Sequence, residues 1–470
     1  MARHVLLTGG NGFIGSHILT QLLDHGCTVC CAVRTQEKGD KILRDFAMQQ
    51  SQISITIVPD IVAPGAYHTA IQGNPAFDTI YHTASPFTYT NVGSNLQFLE
   101  PAIKGTLNLL KAVKDNAPSV RRVIWTGSCA SVIDYDNLVS DPARLYTEAD
   151  WNPVTWEEAV HGDPSKAYRA SKLFAEQEAW KFMKEEQPPF DLVTLSPPAT
   201  FGPLRHSITS IWDLNESNSR LWKLCFNSTK DAPVPYMPVH TYVDVRDLAD
   251  AQFRAMIVPE AGNQRFLVCA RQFDFQDVCD ILRSHFPELS ERTPLGKPGT
   301  RSLPAGAYSI DNSKVKQSLG VEFRSLEETI LDVARWWHHP CSRPNQWKRP
   351  YQNKDNDNSH TFQRVVRSVI NLDHAFPVPN VSWDVRKPSQ TLIILAARRS
   401  CTVEWGEQVS RACRQHVTPT ALLATPGNFA TGRIQGGRGL RWTAPHAPLL
   451  RSNVWTELLN VTSGPMCGRS

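Results

Sequence analysis

The sequence predicts an α/β fold of the Rossmann type: a doubly wound parallel sheet, a smaller C-terminal substrate lobe, and an irregular basic tail. Three observations support this prediction. Short β-rich runs alternate with longer helical patterns, a glycine-rich turn follows the first apolar run, and the composition changes near Pro340. Alternation of this kind is typical of parallel βαβ units with helices on both faces of the sheet.

The predicted elements follow one another at regular spacing. The predicted strands are Val5–Thr8, Thr28–Val33, Ile53–Val58, Thr79–His82, Val120–Thr126 and Asp191–Leu195. The predicted helices are Phe13–Asp24, Gln36–Gln50, Leu96–Asp115 and Ser165–Glu186. After Leu204 the alternation loosens, and Pro and Gly interrupt it. We therefore predict a Rossmann domain at 1–203 that carries the cofactor and the catalytic residues. A substrate lobe partly interleaved with it would occupy 204–340, and a tail 341–470.

The charge of the chain is unevenly distributed. The 470 residues sum to +4, but residues 341–470 carry 17 Lys or Arg against 7 Asp or Glu, and residues 1–340 carry 32 against 38. An arginine excess can indicate a nucleic-acid or acidic partner. Scattered Pro and Gly, and a single strand candidate at Thr391–Ala396, favour a poorly ordered extension instead. We therefore expect no nucleic-acid partner.

Other features exclude further classes. No apolar run approaches the roughly eighteen residues of a membrane span. The N-terminus runs directly into a strand without a secretory signal, so we expect a cytoplasmic protein whose eleven cysteines stay reduced. The cysteines after Pro340 lack metal-ligand spacing, and we expect no metal site. The oligomeric state, monomer or homodimer, stays open.

The first predicted strand leads into a turn with the spacing G-x-x-G-x-x-G. Its residues are Gly9, Gly10, Asn11, Gly12, Phe13, Ile14 and Gly15. The first glycine permits a tight turn, the second lets the backbone approach a pyrophosphate, and the third allows close helix–strand packing. The helix that begins here offers unpaired N–H groups to an anion. Because the turn lies between a strand and a helix, we predict dinucleotide binding.

The end of the second predicted strand indicates which dinucleotide binds. An Asp or Glu for the ribose hydroxyls is expected about twenty residues past the glycines. Arg34 stands there instead, and Lys38 follows one helical turn later. A guanidinium binds a 2′-phosphate in bidentate fashion, so the pattern predicts NADPH or NADP⁺. Asp60 follows the third strand, where its carboxylate could accept from the adenine amino group.

A catalytic group is predicted at the start of the fourth helix. Asp163 is a plausible N-cap and Pro164 occupies the favoured first position. Tyr168 and Lys172 are four residues apart and share a helix face. An ammonium beside a phenol stabilises the phenolate and lowers its pKa. Ser128 ends the fifth strand, at the sheet edge where a substrate binds.

Together these motifs resemble a known family. They are TGGNGFIGSH, VRTQEK, HTASPF, the Thr-Gly-Ser turn, YRASK and YVDVRDLADA. The chain resembles the extended short-chain dehydrogenase/reductase family over about Val5 to Ala334. Within it, the chain is most similar to the dihydroflavonol-reductase-like branch and to fungal NADPH-dependent aldehyde and ketone reductases of the methylglyoxal type.

The resemblance implies roles for individual residues. Ser128 would polarise a carbonyl, Tyr168 would act as general acid, and Lys172 would hold the nicotinamide ribose and lower the Tyr168 pKa. Thr200 would face the nicotinamide amide. The implied cofactor-binding residues are Gly9, Gly10, Asn11, Gly12, Phe13, Ile14, Gly15, Arg34, Lys38, Asp60, Ile61, Thr83, Tyr168, Lys172, Pro197 and Thr200.

Two positions depart from the family pattern. Gly127 replaces the first serine of a usual Ser-Ser pair, and Ala199 replaces a bulky aromatic residue, which predicts a roomier pocket. Phe87 and Ile133 are candidate pocket walls beside Ala199.

We therefore expect an NADPH-dependent reductase that converts a small-molecule aldehyde or ketone into an alcohol, with an intermediate of specialised metabolism as one candidate substrate. Three alternatives stay open. The chain could be a nucleotide-sugar epimerase or dehydratase, a hydroxysteroid-dehydrogenase-like enzyme, or a non-catalytic NADP-sensing regulator. The sequence does not indicate which carbonyl compound is reduced.

Overall fold

The structure is a computed structural model. It describes residues 3–84, 94–234 and 236–338, and in the C-terminal part 392–399, 417–425, 428–435 and 441–443. The chain divides into two compact units, Met1–Tyr351 and Gln352–Ser470. The domain boundaries after residues 203 and 340 stay predictions.

The first unit contains the predicted βαβ units. Its strands are β1 His4–Thr8, β2 Thr28–Val33, β3 Ile53–Ile57, β4 Thr79–His82, β5 Arg122–Thr126, β6 Leu145–Tyr146, β7 Asp191–Ser196, β8 Ala199–Phe201, β9 Thr241–Asp244, β10 Gln264–Leu267, β11 Arg271–Gln272 and β12 Ser309–Ile310. Its helices are α1 Phe13–Asp24, α2 Gln36–Asp45, α3 Leu96–Asn116, α4 Trp156–His161, α5 Pro164–Glu186, α6 Glu216–Leu221, α7 Val245–Ile257, α8 Phe275–His285, α9 Ser313–Leu319 and α10 Leu326–His338.

A seven-stranded sheet of order β10-β7-β5-β4-β1-β2-β3 forms the centre of this unit. All its strand pairs are parallel, so the predicted Rossmann-type fold is confirmed. From β1 the chain proceeds outward to β3, and it then returns to the other side of β1 with β4. Ligands bind at such a reversal, beyond the carboxyl ends of the strands. The seventh strand, β10, comes from the region expected in the substrate lobe.

Both faces of the sheet are covered by helices. Val5 and Leu7 of β1 lie in one apolar cluster, together with Leu248 of α7. Leu6 lies in a second cluster with Leu109 of α3. Successive residues of a strand point to opposite faces, so a strand buried on both sides is apolar throughout. This explains the uninterrupted apolar run by which β1 was predicted.

One helix is shorter than expected. The helix predicted over Gln36–Gln50 ends at Asp45, because Phe46 leaves the helical region with φ −115° and ψ 36°. The Phe46 side chain is buried in the same cluster as Val5. Burial of this ring therefore ends the helix where local propensity would continue it.

The remainder of the first unit forms a lobe with its own apolar cluster. Strands β8 and β9 pair in parallel and β11 pairs antiparallel with β9. Phe201, Leu221, Tyr242, Phe273 and Ile330 are buried together in this cluster. The lobe therefore combines residues from β8 through α10.

Helix α5 begins as the sequence predicted. The Asp163 side chain accepts hydrogen bonds from the N–H groups of Ser165 (2.8 Å) and Lys166 (3.0 Å), and Pro164 is the first helical residue. The helix ends at Glu186, and the residue after it, Gln187, has a positive φ of 41°.

A buried carboxylate ties α5 to the sheet. Glu176 is fully buried, and its Oε1 accepts from Arg265 Nε (2.9 Å) and Thr194 Oγ1 (3.0 Å). Its Oε2 accepts from Ser131 Oγ at 2.6 Å. The partners belong to β10, to β7 and to the turn after β5, so one side chain connects α5 to three segments.

The second unit contains more strands than expected. The strand predicted at Thr391–Ala396 is present as β13 Leu392–Arg399, followed by β14 Val417–Thr425, β15 Asn428–Gln435 and β16 Arg441–Thr443 in antiparallel order. The expectation of a single strand was wrong. Pro419 lies in β14 and Gly432 lies in β15, and because both residue types are depleted from strands, these two segments lack a strand-like composition. The poor order expected elsewhere in the tail concerns residues outside those described.

We predict that Glu176→Ala lowers the free energy of unfolding by about 3 kcal/mol or more, because Arg265 would keep a buried charge without its partner. Urea denaturation of the full-length protein measures the change. Glu178→Ala is the matched control, since Glu178 pairs with Lys181 on the exposed surface of the same helix. It should change stability by less than about 0.5 kcal/mol. Equal losses in the two variants would contradict the assignment.

Candidate active site

The glycine turn approaches the loop after β4 closely. Gly9 has φ +74°, and a Cβ placed there would lie 2.6 Å from Thr83 Oγ1. A Cβ at Gly15 would collide with the Gly9 carbonyl oxygen. The first glycine therefore supplies a left-handed conformation and the last supplies close packing of α1 against the turn. Gly10 lies against Leu7 and Cys31.

The first turn of α1 has donors available for a ligand. Gly12 precedes the helix and provides no side-chain cap, whereas Thr35 caps α2 by accepting from the Lys38 N–H. The N–H groups of an uncapped first turn have no partner within the helix. Together with the positive end of the helix dipole they make the start of α1 a candidate anion site.

The candidate 2′-phosphate residues lie at the end of β2. Arg34 directly follows the strand, Lys38 lies in the first turn of α2, and both are exposed. The Gly9 N–H donates to the Ala32 carbonyl at 3.3 Å, which joins the glycine turn to this strand end. The two cations therefore lie at the same sheet edge as the glycines.

The loop after β3 is fixed by side-chain hydrogen bonds. The exposed Asp60 accepts from the Val62 N–H at 2.9 Å. Asn108 of α3 donates to the carbonyl oxygens of Ile61 (3.0 Å) and Ala63 (3.2 Å). These bonds orient the segment that was expected to contact adenine.

Ser128 has a hydroxyl group oriented by the turn after β5. Its Oγ accepts from the Ala130 N–H at 3.1 Å, which leaves the hydroxyl hydrogen available to donate to a ligand. At the neighbouring Gly127, a Cβ would lie 2.5 Å from Ser196 Oγ. The glycine that departs from the family pattern therefore makes room for the Ser196 hydroxyl.

Tyr168 and Lys172 lie one turn apart on α5. The Lys172 ammonium is 5.6 Å from the centre of the Tyr168 ring. Burial lowers the pKa of Lys172 to about 8, because the charged form loses hydration. Most of this lysine is still protonated at neutral pH, so its charge favours the phenolate form of Tyr168.

The loop after β4 is held by the Thr8 hydroxyl, which contacts His82, a buried histidine to which the sequence analysis gave no role. Thr8 Oγ1 accepts from the N–H groups of Thr83 (3.2 Å) and Ala84 (3.1 Å) and lies 2.9 Å from His82 Nδ1. The hydroxyl oxygen already accepts two N–H groups, so its hydrogen donates to Nδ1, and His82 is neutral. Burial and, to a smaller extent, the charge of Lys172 together lower the pKa of His82 to about 3.

These residues surround one cleft of about 580 Å³. Of the candidates named above, it is lined by Gly9, Gly12, Phe13, Ile14, Gly15, Thr83, Ser128, Tyr168, Lys172, Pro197, Ala199 and Thr200. The structure thus brings the phosphate-binding turn and the three catalytic candidates to one place. In the wall of this cleft, the Pro197 carbonyl accepts from the Cys129 N–H at 2.9 Å, and the Thr200 N–H donates to Ser217 Oγ at 3.2 Å.

Several candidates lie elsewhere. Gly10, Asn11, Arg34, Lys38 and Asp60 do not line the cleft, and Ile61 lines a smaller neighbouring cavity that also contacts Lys172. Ile133, expected as a pocket wall, is fully buried in an apolar cluster with Tyr146 and Tyr308 and does not line the cleft. Phe87 lies outside the described residues.

The sequence analysis missed much of the cleft wall. The additional lining residues include Tyr135, Ser165, Arg169, Asn215, Glu216, Ser217, Arg220, Met237, Val239, Phe273 and Phe275. Most of them come from the lobe after β8 and are dispersed along the chain. Only Arg169 carried a sequence signal, because it lies next to Tyr168.

Among the residues that the structure describes, no group of three or more His, Cys, Asp or Glu side chains is arranged to hold a metal ion. Within the same residues, every helix is too short or too polar to span a bilayer.

Residues 5–269 match the model of the NAD dependent epimerase/dehydratase family. The chain belongs to this family. The matched region begins at β1, contains Ser128, Tyr168 and Lys172, and ends shortly after β10.

Named relatives agree with the resemblance seen in the motifs. The ketoreductase azaE of Aspergillus niger is 41% identical over 335 residues, which are 71% of this chain and 97% of that protein. An NADPH-dependent methylglyoxal reductase of Saccharomyces cerevisiae is 37% identical over 336 residues, 70% of this chain and 96% of that protein. The crystal structure of yeast methylglyoxal/isovaleraldehyde reductase complexed with NADPH matches with a TM-score of 0.65 and 34% identity, covering 71% of this chain and 97% of that chain. The similarity to fungal reductases is thereby confirmed.

The neutral state of His82 predicts a specific pH dependence. The pKa of His82 rises from about 3 to 6.5 on unfolding, so between these values only the unfolded state binds the proton, and stability falls as the pH falls. Each such histidine lowers the free energy of unfolding by up to about 1.4 kcal/mol for each pH unit of acidification. Since burial also lowers the pKa of His17 and His206 to about 4, His82→Asn should reduce the slope without abolishing it.

Urea denaturation of wild type and His82→Asn between about pH 6.5 and pH 5 measures this difference in slope. Asn retains an acceptor near the position of Nδ1 and does not titrate. His68→Asn, at an exposed position, is the control and should keep the wild-type slope. An unchanged slope in His82→Asn would show that His82 is protonated in the folded protein.

Proposed function

We propose that this chain is an NADPH-dependent reductase that converts a small-molecule aldehyde or ketone into an alcohol. The observation that carries the proposal is that Ser128, Tyr168 and Lys172 line the same cleft as the glycine turn. The relatives named above are themselves a ketoreductase and an NADPH-dependent reductase. A role in specialised metabolism and a cytoplasmic location stay predictions.

The residues present fit a phosphorylated dinucleotide. At Gly9 and Gly15 there is no room for a side chain, so the backbone itself forms the cradle. The uncapped start of α1 would bind the pyrophosphate. Arg34 and Lys38, exposed at the end of β2, would bind the 2′-phosphate, and Lys172 would bind the nicotinamide ribose.

The catalytic side chains have complementary tasks. When bound, NADPH supplies the hydride that reduces the carbonyl carbon. The Ser128 hydroxyl donates to the carbonyl oxygen and stabilises the charge that develops there. Tyr168 delivers a proton to the same oxygen, and the charge of Lys172 stabilises the phenolate that remains.

We predict that Tyr168→Phe lowers kcat by at least about 100-fold, the lower end of the usual contribution of general acid–base catalysis, while NADPH still binds. NADPH consumption with a panel of aldehydes and ketones measures turnover, and fluorescence titration measures binding. Tyr236→Phe is the control, because Tyr236 is exposed and does not line the cleft. A Tyr168→Phe variant with wild-type turnover would refute the mechanism. Stoichiometric cofactor oxidation separates a reductase from an epimerase, which regenerates its cofactor.

We predict that Arg34→Ala raises the KM for NADPH by about tenfold or more and changes the KM for NADH little, because only NADPH has the 2′-phosphate. Steady-state kinetics with both cofactors test this. Arg44→Ala is the matched control, since Arg44 is exposed at the other end of α2. Equal effects on both cofactors would show that Arg34 does not contact the 2′-phosphate.

A further inference from the structure

Arg169 occupies a distinctive position beside the catalytic tyrosine. It follows Tyr168 on α5 and lines the cleft. Its guanidinium carbon lies 4.3 Å from the centre of the Tyr135 ring, and Nη2 donates to Ser165 Oγ at 2.9 Å. Two contacts thus orient a half-buried guanidinium at the wall of the cleft.

The other charged residues of the cleft have partners in the structure. The cationic residues that line it are Arg169, Lys172 and Arg220, and Glu216 is the acidic one. Arg220 Nε bonds Glu216 Oε1 at 2.8 Å, one turn apart on α6. Lys172 lies beside Tyr168. Arg169 takes part in none of the ion pairs found among the described residues, so the cleft keeps the positive charge of this guanidinium.

Arg169 also lines a second cavity, of about 190 Å³, which contains acidic residues. Each of these residues has its own contact. Asp136 Oδ2 pairs with Lys166 Nζ at 2.7 Å. Glu158 binds the start of its own helix, and Asp134 accepts from the Asp136 N–H at 3.0 Å. None of the three forms a salt bridge with Arg169 within the described part of the chain.

We propose that Arg169 binds a carboxylate of the substrate, so that the preferred substrates are carbonyl compounds that also carry a carboxylate. A guanidinium has five N–H donors in one plane, and Ser165 uses one of them. The guanidinium carbon lies over the Tyr135 ring, and the bond to Ser165 is the one hydrogen bond that this side chain makes among the described residues, so its other donors stay available for a bidentate contact with a carboxylate. This inference rests on the proposed function.

Matched pairs of acids and neutral esters test the inference. The probes are the oxo acids pyruvate, acetoacetate and levulinate, which differ in the distance between carbonyl and carboxylate, and their methyl esters. For each pair, the ratio of kcat/KM for the acid to kcat/KM for the ester is measured with full-length protein and NADPH. We expect wild type to prefer at least one acid, and Arg169→Gln to lower that ratio by about tenfold or more while turnover of the ester persists.

Two further variants assign the effect to this side chain. Arg169→Lys retains the charge without the planar fork, so it should recover part of the ratio. Lys184→Gln removes a cation from the exposed last turn of the same helix, outside the cleft, and should leave the ratio near the wild-type value. Calorimetric binding of the preferred acid to the protein with NADP⁺ should weaken in Arg169→Gln and not in Lys184→Gln.

The possible failures are distinct. If wild type reduces the esters but the ratio is the same in Arg169→Gln, the inference is overturned and the proposed function stands. A ratio that falls equally in Lys184→Gln, or a KM for NADPH that rises in Arg169→Gln, also overturns it. If wild type consumes NADPH with none of the acids, the esters or the aldehyde panel, the proposed function itself fails.

Discussion

The buried carboxylate of Glu176 sets the position of α5, the helix that carries Tyr168 and Lys172, relative to the rest of the cleft. It lies one turn beyond Lys172 on α5, and its partner Ser131 lies three residues beyond Ser128. The hydrogen bond between Glu176 and Ser131 therefore connects the segment that carries the serine to the helix that carries the tyrosine and the lysine. Arg265 compensates the charge from β10. A buried carboxylate requires hydrogen-bond and charge partners of this kind, so α5 and the segments that carry those partners can shift little relative to one another.

A second set of contacts gives the part of the cleft around the glycine turn a comparable rigidity. Thr8 ends β1, and its hydroxyl group holds the loop after β4 through Thr83 and Ala84. The same loop packs against Gly9, so the glycine turn and the neighbouring strand end keep a fixed distance. His82 completes this arrangement only when it is neutral. Protonation would remove the acceptor for Thr8 and add a second positive charge near Lys172.

The wall of the cleft that includes the lobe after β8 is built differently. It combines residues of β8, α6 and the region before β9 with Arg169 and Tyr135 from the Rossmann part. Side chains that meet in this way share no motif, because each is placed by the packing of its own element. Ile133 illustrates the difficulty: it follows Ser128 by five residues, yet it is buried in the apolar cluster with Tyr146. Its hydrophobicity alone could not distinguish a pocket wall from core.

The sequence by itself determined the Rossmann-type fold, the glycine turn, the change of charge at the end of β2 and the pairing of Tyr168 with Lys172. These features depend on short stretches of chain, where strand periodicity, turn geometry and helical spacing act over a few residues. The tertiary structure decided that Glu176 is buried among three partners, that His82 is neutral and that Arg169 faces the cleft without an acidic partner among the described residues. Such properties arise from contacts between residues distant along the chain. The burial of a side chain and its charge partner are therefore defined only once the chain has folded.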